Sequence, residues 1–157
     1  MRVSRSPLPL ARALATLIAA ALLGVAARAQ PATAPSALTV TDAWVRAIPG
    51  GAVAAAYMHL HNGGGQAVRV IGVRSAAAAH AMIHETRLEK GLSTMRAHEP
   101  LEVDPGASVE LKPGGLHVML TDLAHPLAVG EQVPLELLLE GGGRIEVRAR
   151  VRPPDAE

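Results

Sequence analysis

Two imidazoles and two thioethers fall in one short stretch of the chain. His84 is followed after ten residues by Met95, after twenty-one more by His117, and after one more by Met119. All four donors are neutral and two of them are soft sulfurs. That set suits Cu(I) better than the other common biological metals. Zn²⁺ prefers thiolate, imidazole or carboxylate, and Ca²⁺ and Mg²⁺ need oxygen. The chain has no cysteine, so the thiolate of a blue-copper centre is not available to it. A thioether does not titrate, so protons could compete for the metal only at the two histidines.

Such a site needs elements that bring distant residues to one face. From Ala37 onward the chain reads as short β-prone runs broken by Gly and Pro. The candidate strands are Leu38–Arg46, Ala54–Leu60, Val68–Arg74, Ala81–Arg87, Ser93–Ala97, Ser108–Lys112, His117–Thr121, Val133–Glu140 and Arg144–Arg152. Turn signals such as Asn62-Gly63-Gly64-Gly65, Asp104-Pro105-Gly106 and Pro113-Gly114-Gly115 separate them. In the last run, Ile145, Val147, Ala149 and Val151 alternate with charged residues, the pattern of a half-buried strand. Eight or nine such strands predict an all-β, antiparallel Greek-key sandwich or barrel. Ser75–His80 reads as a loop or single turn, because six residues are too few for a stable helix.

On these strands, His84 and Met95 lie on the two arms of a hairpin turning at Glu89-Lys90-Gly91. His117 and Met119 share one face of a third strand, with Val118 and Leu120 turned toward the core. Met82 shares the face of His84 and reads as core or gap filling, with a ligand role as the alternative, and Met58 reads as core. His59, His61, His98 and His125 read as surface residues, and Trp44 as core packing. Glu85 and Arg96 follow two of the candidate ligands and project to the opposite face, where an ion pair is expected.

The N-terminus has the features of a secretory signal. Arg2, Arg5 and Arg12 precede an apolar run, Ala13 to Val25, and Ala27-Arg28-Ala29 is a small-x-small cleavage sequence. The expected organisation is a signal peptide over 1–29 cut after Ala29, a lead-in over 30–36, a β domain over 37–152 and a short tail over 153–157. The run is shorter than the roughly 20 residues of a membrane span, and with no cysteine near the cut a lipid-anchored form is not expected. Cleavage removes four of the fifteen basic residues and none of the fourteen acidic ones, leaving a net charge of −3. With one Trp, one Tyr and no Phe there is no stacking surface for bases, and no nucleic-acid partner is expected. Carboxylates are scattered and no Gly-x-Ser-x-Gly elbow occurs, so the chain does not read as an enzyme.

The spacing His-x10-Met-x21-His-x-Met resembles the signature of the periplasmic copper chaperone family PCuAC. The likeness extends to Asp42-Ala43-Trp44-Val45-Arg46, Ala55-Ala56-Tyr57-Met58, His84-Glu85, Met95-Arg96 and Pro113 to Leu120. The resemblance implies a cupredoxin-like fold and a solvent-accessible Cu(I) site with His84, Met95, His117 and Met119 as ligands. It also implies a periplasmic location and delivery of copper to the copper A domain of cytochrome c oxidase subunit II, with other copper assembly factors as further partners. Some members end in a tail rich in His and Met; this chain ends Val151-Arg152-Pro153-Pro154-Asp155-Ala156-Glu157, which supports no second site. The competing readings are a periplasmic copper buffer or resistance protein, and a β-sandwich interaction module that binds no metal.

Overall fold

A computed structural model describes residues 37–48 and 50–156, and alternating apolar and polar residues drive these described residues into ten strands. The expected signal peptide and lead-in lie outside those residues. The strands are β1 Leu38–Ala47, β2 Val53–Asn62, β3 Val68–Ser75, β4 Ala78–Glu89 and β5 Leu92–Ala97. They continue as β6 Leu101–Val103, β7 Ser108–Leu111, β8 Leu116–Leu123, β9 Gln132–Leu139 and β10 Arg144–Arg152. A single 3₁₀ turn, Glu140–Gly142, joins β9 to β10. Among the described residues no helix is long and apolar enough to cross a membrane.

The hydrogen-bonded order is β5-β4-β8-β2-β1-β10-β9-β3-β6, with β7 also paired to β2. Every pair is antiparallel except β1 and β10, the first and last strands, which run parallel through Trp44–Arg150, Val45–Val151 and Arg46–Arg152. The fold is therefore all-β and cupredoxin-like as expected, with ten strands and one parallel seam. The unforeseen strand is β6, three residues long between two proline turns. Ser75–His80 is tighter than a loop. Only Ala76 and Ala77 turn, and β4 begins at Ala78, so two of the four alanines that resemble helix are turn and two are strand. Pairing of Ala78 with Leu123 and of His80 with Thr121 outweighs their helical preference.

One core joins both halves of the strand order. Val45, Ala56, Ile83, Val118, Leu120, Val133 and Ala149 are all at most 1% exposed and belong to the same cluster. Trp44 and Tyr57 are nearly as buried, at 7% and 6% exposed, yet they lie outside that cluster. Tyr57 faces outward by the plain alternation of β2, but for Trp44 the cause is a bulge in β1. Register shifts between Thr41 and Trp44, and Asp42 takes a φ of 52°. Leu38 and Val40 face inward before the bulge, and Ala43, Val45 and Ala47 after it. The extra residue inverts the alternation, and Trp44 is carried to the opposite face rather than into the core.

The strand that carries the last two candidate ligands is placed by a jog. Against one edge of β2, β8 pairs with Val53–Ala56 and β7 with Met58–His61. The chain steps from β7 to β8 through Pro113-Gly114-Gly115, with Gly114 at a φ of 76° that suits glycine. Gly115 N–H closes the turn on the Lys112 carbonyl at 3.1 Å.

Candidate metal centre

Antiparallel register puts directly opposed residues on the same face. His84 of β4 lies opposite His117 of β8, and Met82 lies opposite Met119. Between them Ile83 and Val118 point into the core at 1% and 0% exposure. Four donors thus form a rectangle on the outer face of two adjacent strands: Met82 and His84 on one, Met119 and His117 on the other. The two imidazole rings stand edge to face, with centroids 6.1 Å apart and planes at 85°.

Met95 occupies a different place. On β5 it pairs with Thr86, while His84 pairs with Ala97. Met95 is therefore the diagonal neighbour of His84, within reach of a long side chain. From Met119 it is two strands and four residues away, about 16 Å between Cα atoms on a flat lattice. Register alone brings His84, His117 and Met119 together and leaves Met95 at the rim, on the strand that ends the hydrogen-bonded order. β5 contains no buried residue. The residues just after it are held more firmly: His98 N–H donates to the Ile83 carbonyl at 2.8 Å, and Ile83 N–H to the Glu99 carboxylate at 2.9 Å.

The two histidines are prepared differently. His117 is 5% exposed, and its Nδ1 lies 3.0 Å from the Gly115 carbonyl. A carbonyl only accepts, so Nδ1 carries the proton and donates it, leaving Nε2 with the lone pair a metal needs. The same Gly115 carbonyl accepts from Thr86 N–H at 3.0 Å. One turn thus fixes the tautomer of His117 and anchors β4 beside it. His84 Nδ1 is shielded from water and has no hydrogen-bond partner. A buried imidazole nitrogen left unpaired is costly. Among the described residues no three of His, Asp and Glu converge as a metal-holding group. The donors gathered on this face are imidazoles and thioethers, a soft set.

Beyond His117 the same face turns aromatic and cationic. The Tyr57 ring lies 6.4 Å from that of His117, and Trp44 lies 4.6 Å from Tyr57. Arg46 sits 5.5 Å above both rings and Arg152 4.9 Å above Trp44. Burial pushes the Tyr57 hydroxyl above its ordinary range, and the Arg46 charge partly offsets that. Positive charge is thereby concentrated on the aromatic side of the donors, and the thioethers Met82 and Met95, 41% and 50% exposed, lie toward solvent.

On the hairpin's other face Glu85 lies opposite Arg96 in register, but the expected ion pair does not form. Glu85 instead holds Arg87 at 2.8 Å and His98 at 3.3 Å, while Arg96 reaches Glu89 at 3.5 Å. Arg87 shares a strand face with Glu85 two residues away and competes successfully. Its hydrogen bond, helped by the charges of Arg87 and His98, holds the Glu85 carboxyl below the usual range. His59, His61 and His125 are surface residues as expected, the first 3.9 Å from Glu110 and the last 3.7 Å from Glu131.

A ten-stranded cupredoxin-like β domain with His and Met gathered on one outer face defines a domain of the PCuAC type. Comparison with known proteins agrees. A copper-bound PCuAC domain from PmoF2 superposes with a TM-score of 0.64 at 27% identity, over 76% of this chain and 95% of that one. The solution structure of Cu(I)-DR1885 from Deinococcus radiodurans superposes at 0.59 with 29% identity, over 81% and 85%. A putative lipoprotein of Leifsonia xyli subsp. xyli is 32% identical over 147 residues, 88% of either chain. The family model for putative lipoproteins of the LpqE-like type matches residues 38–151, and the chain belongs to that LpqE-like family.

Proposed function

We infer that this protein is an extracytoplasmic copper chaperone rather than an enzyme, with Cu(I) as cargo held by His84, Met95, His117 and Met119. The observation that carries this reading is the opposition of His84 and His117 on one face, with a thioether two residues from His117 on the same strand. Support comes from the His117 tautomer set by Gly115 and from the unpaired His84 Nδ1. The similar PmoF2 domain is copper-bound, and DR1885 carries Cu(I). The relatives' description as lipoproteins fits a location outside the cytoplasm. Residues 1–29 are the export signal and 37–152 the copper-binding domain.

Neutral donors bind a monocation without burying net opposite charge, so release carries no large charge penalty. Thioethers at the exposed edge can be displaced one at a time by a client's thiolates. The client in this reading is the copper A domain of cytochrome c oxidase. Cu(I)-loaded protein mixed with the apo copper A domain should transfer its metal, read by the appearance of the copper A spectrum after reoxidation. No transfer, with copper retained by this protein, would leave a copper buffer as the better reading.

Acid should weaken the site. Protons compete with the metal for imidazole nitrogens and not for thioether sulfurs, so Cu(I) affinity should fall as the solution is made more acidic. Competition titrations against a Cu(I) chelator of known pH dependence measure this directly. An affinity independent of pH would remove both imidazoles from the site.

A further inference from the structure

We propose that Met82 is a fifth copper-contacting residue, and that the protein holds Cu(I) through two overlapping ligand sets that exchange Met82 for Met95. The proposal rests on the copper reading above and adds a residue to it. Three facts of placement carry it. Met82 lies directly opposite Met119 and two residues before His84 on the same strand. Its side chain shares their face, because Ile83 between them is buried in the core. At 41% exposure it fills no gap in that core.

Met95 has the weaker claim on position. It touches the rectangle only diagonally, at His84, from a strand with no buried residue. With β5 lying where its pairing places it, the donors nearest to one another are Met82, His84, His117 and Met119. For Met95 to join His117 and Met119, the β4–β5 hairpin must curl over the face. Met82 then becomes surplus, because four donors already satisfy Cu(I). His84, His117 and Met119 are common to both sets, and one thioether replaces another. Both are neutral, so the exchange changes neither the charge at the ion nor its softness. Hairpin position would then select the set. With the hairpin down, the ion is held by residues fixed in two paired strands; with it curled, Met95 covers the ion.

The test compares Met82→Leu, Met95→Leu and the double variant in the full-length protein, loaded with Cu(I) alone. Affinity is read against a competing chelator, and sulfur neighbours by X-ray absorption at the copper edge. Leucine keeps the volume of an exposed apolar side chain, and thermal melts of the apo forms check the fold. Each single variant should keep two sulfur neighbours and lose no more than about fivefold in affinity, whereas the double variant should keep one sulfur and lose at least about a hundredfold. One sulfur in Met95→Leu alone, or losses in the double variant that are the product of the singles, would overturn the proposal. A His117→Ala variant separates this failure from a larger one. If it binds Cu(I) as tightly as the parent, the copper site itself is misplaced; if it loses the metal while the double variant binds no more weakly than Met95→Leu, only the two-set proposal falls.

Discussion

Replacing His117 with alanine is expected to weaken Cu(I) binding by at least about a hundredfold, equivalent to about 2.7 kcal/mol. His117 is the most buried of the candidate ligands at 5% exposure, and its ring is already oriented by the Gly115 carbonyl. Ordering a side chain that long normally costs free energy on binding, and here the fold has met that cost in advance. The loss should fall on the metal more than on the fold. Removing the ring forfeits one hydrogen bond, about 1 kcal/mol. The Gly115 carbonyl is not orphaned, because Thr86 N–H still donates to it. Chelator competition gives the affinity and an apo melt gives the stability. Near-parental affinity would exclude His117 from the site. Met119→Leu should lose affinity comparably, since the strand places Met119 beside the imidazole pair with no second thioether on β8.

The opposite profile is expected at Asn62, where stability should drop and copper affinity stay within about twofold. Its side chain is fully buried and makes three bonds. Nδ2 donates to the Gln66 carbonyl at 2.8 Å and the Val103 carbonyl at 2.9 Å, and Oδ1 accepts from Gly64 N–H at 3.0 Å. Alanine would leave two carbonyls and an amide unpaired around a buried gap. The expected cost is about 3 kcal/mol, and a fall in Tm of about 10 °C for a domain of this size. Calorimetry of apo and Cu(I)-loaded protein measures both quantities. An unchanged Tm would mean that water replaces the amide without penalty.

Asn62 also marks how far the sequence could be read. Asn-Gly-Gly-Gly announces a turn correctly, but nothing in the local pattern says that the turn's first residue is buried under β6. That depends on a three-residue strand some forty positions away, too short to show a period. The strands themselves were legible because a Val- and Leu-rich interior opposed by Arg and Glu leaves a clear alternation, as in β10. So was the face shared by His117 and Met119, which follows from their separation by one residue. Trp44 was not, because a single inserted residue at Asp42 reverses every later side chain of β1 and leaves no compositional trace. Cross-strand register was equally hidden. The hairpin turn put His84 and Met95 near one another, and register makes them diagonal neighbours, with His84 directly against Ala97 on one side and His117 on the other. The spacing motif named its residues; which methionine stands beside which histidine was decided by pairing between strands distant in sequence.

The bulge that turns Trp44 outward has a consequence for light. The chain contains one Trp, one Tyr and no Phe, and the two chromophores lie 4.6 Å apart on the outer face. Nearly all near-ultraviolet absorption, fluorescence and circular dichroism of this protein therefore originates in one patch, separated from the donors only by the contact between Tyr57 and His117. The Val, Leu and Ala interior is optically silent. A melting curve followed by tryptophan emission describes the loosening of that patch, and its agreement with a far-ultraviolet curve becomes a direct measure of whether outer face and interior come apart together.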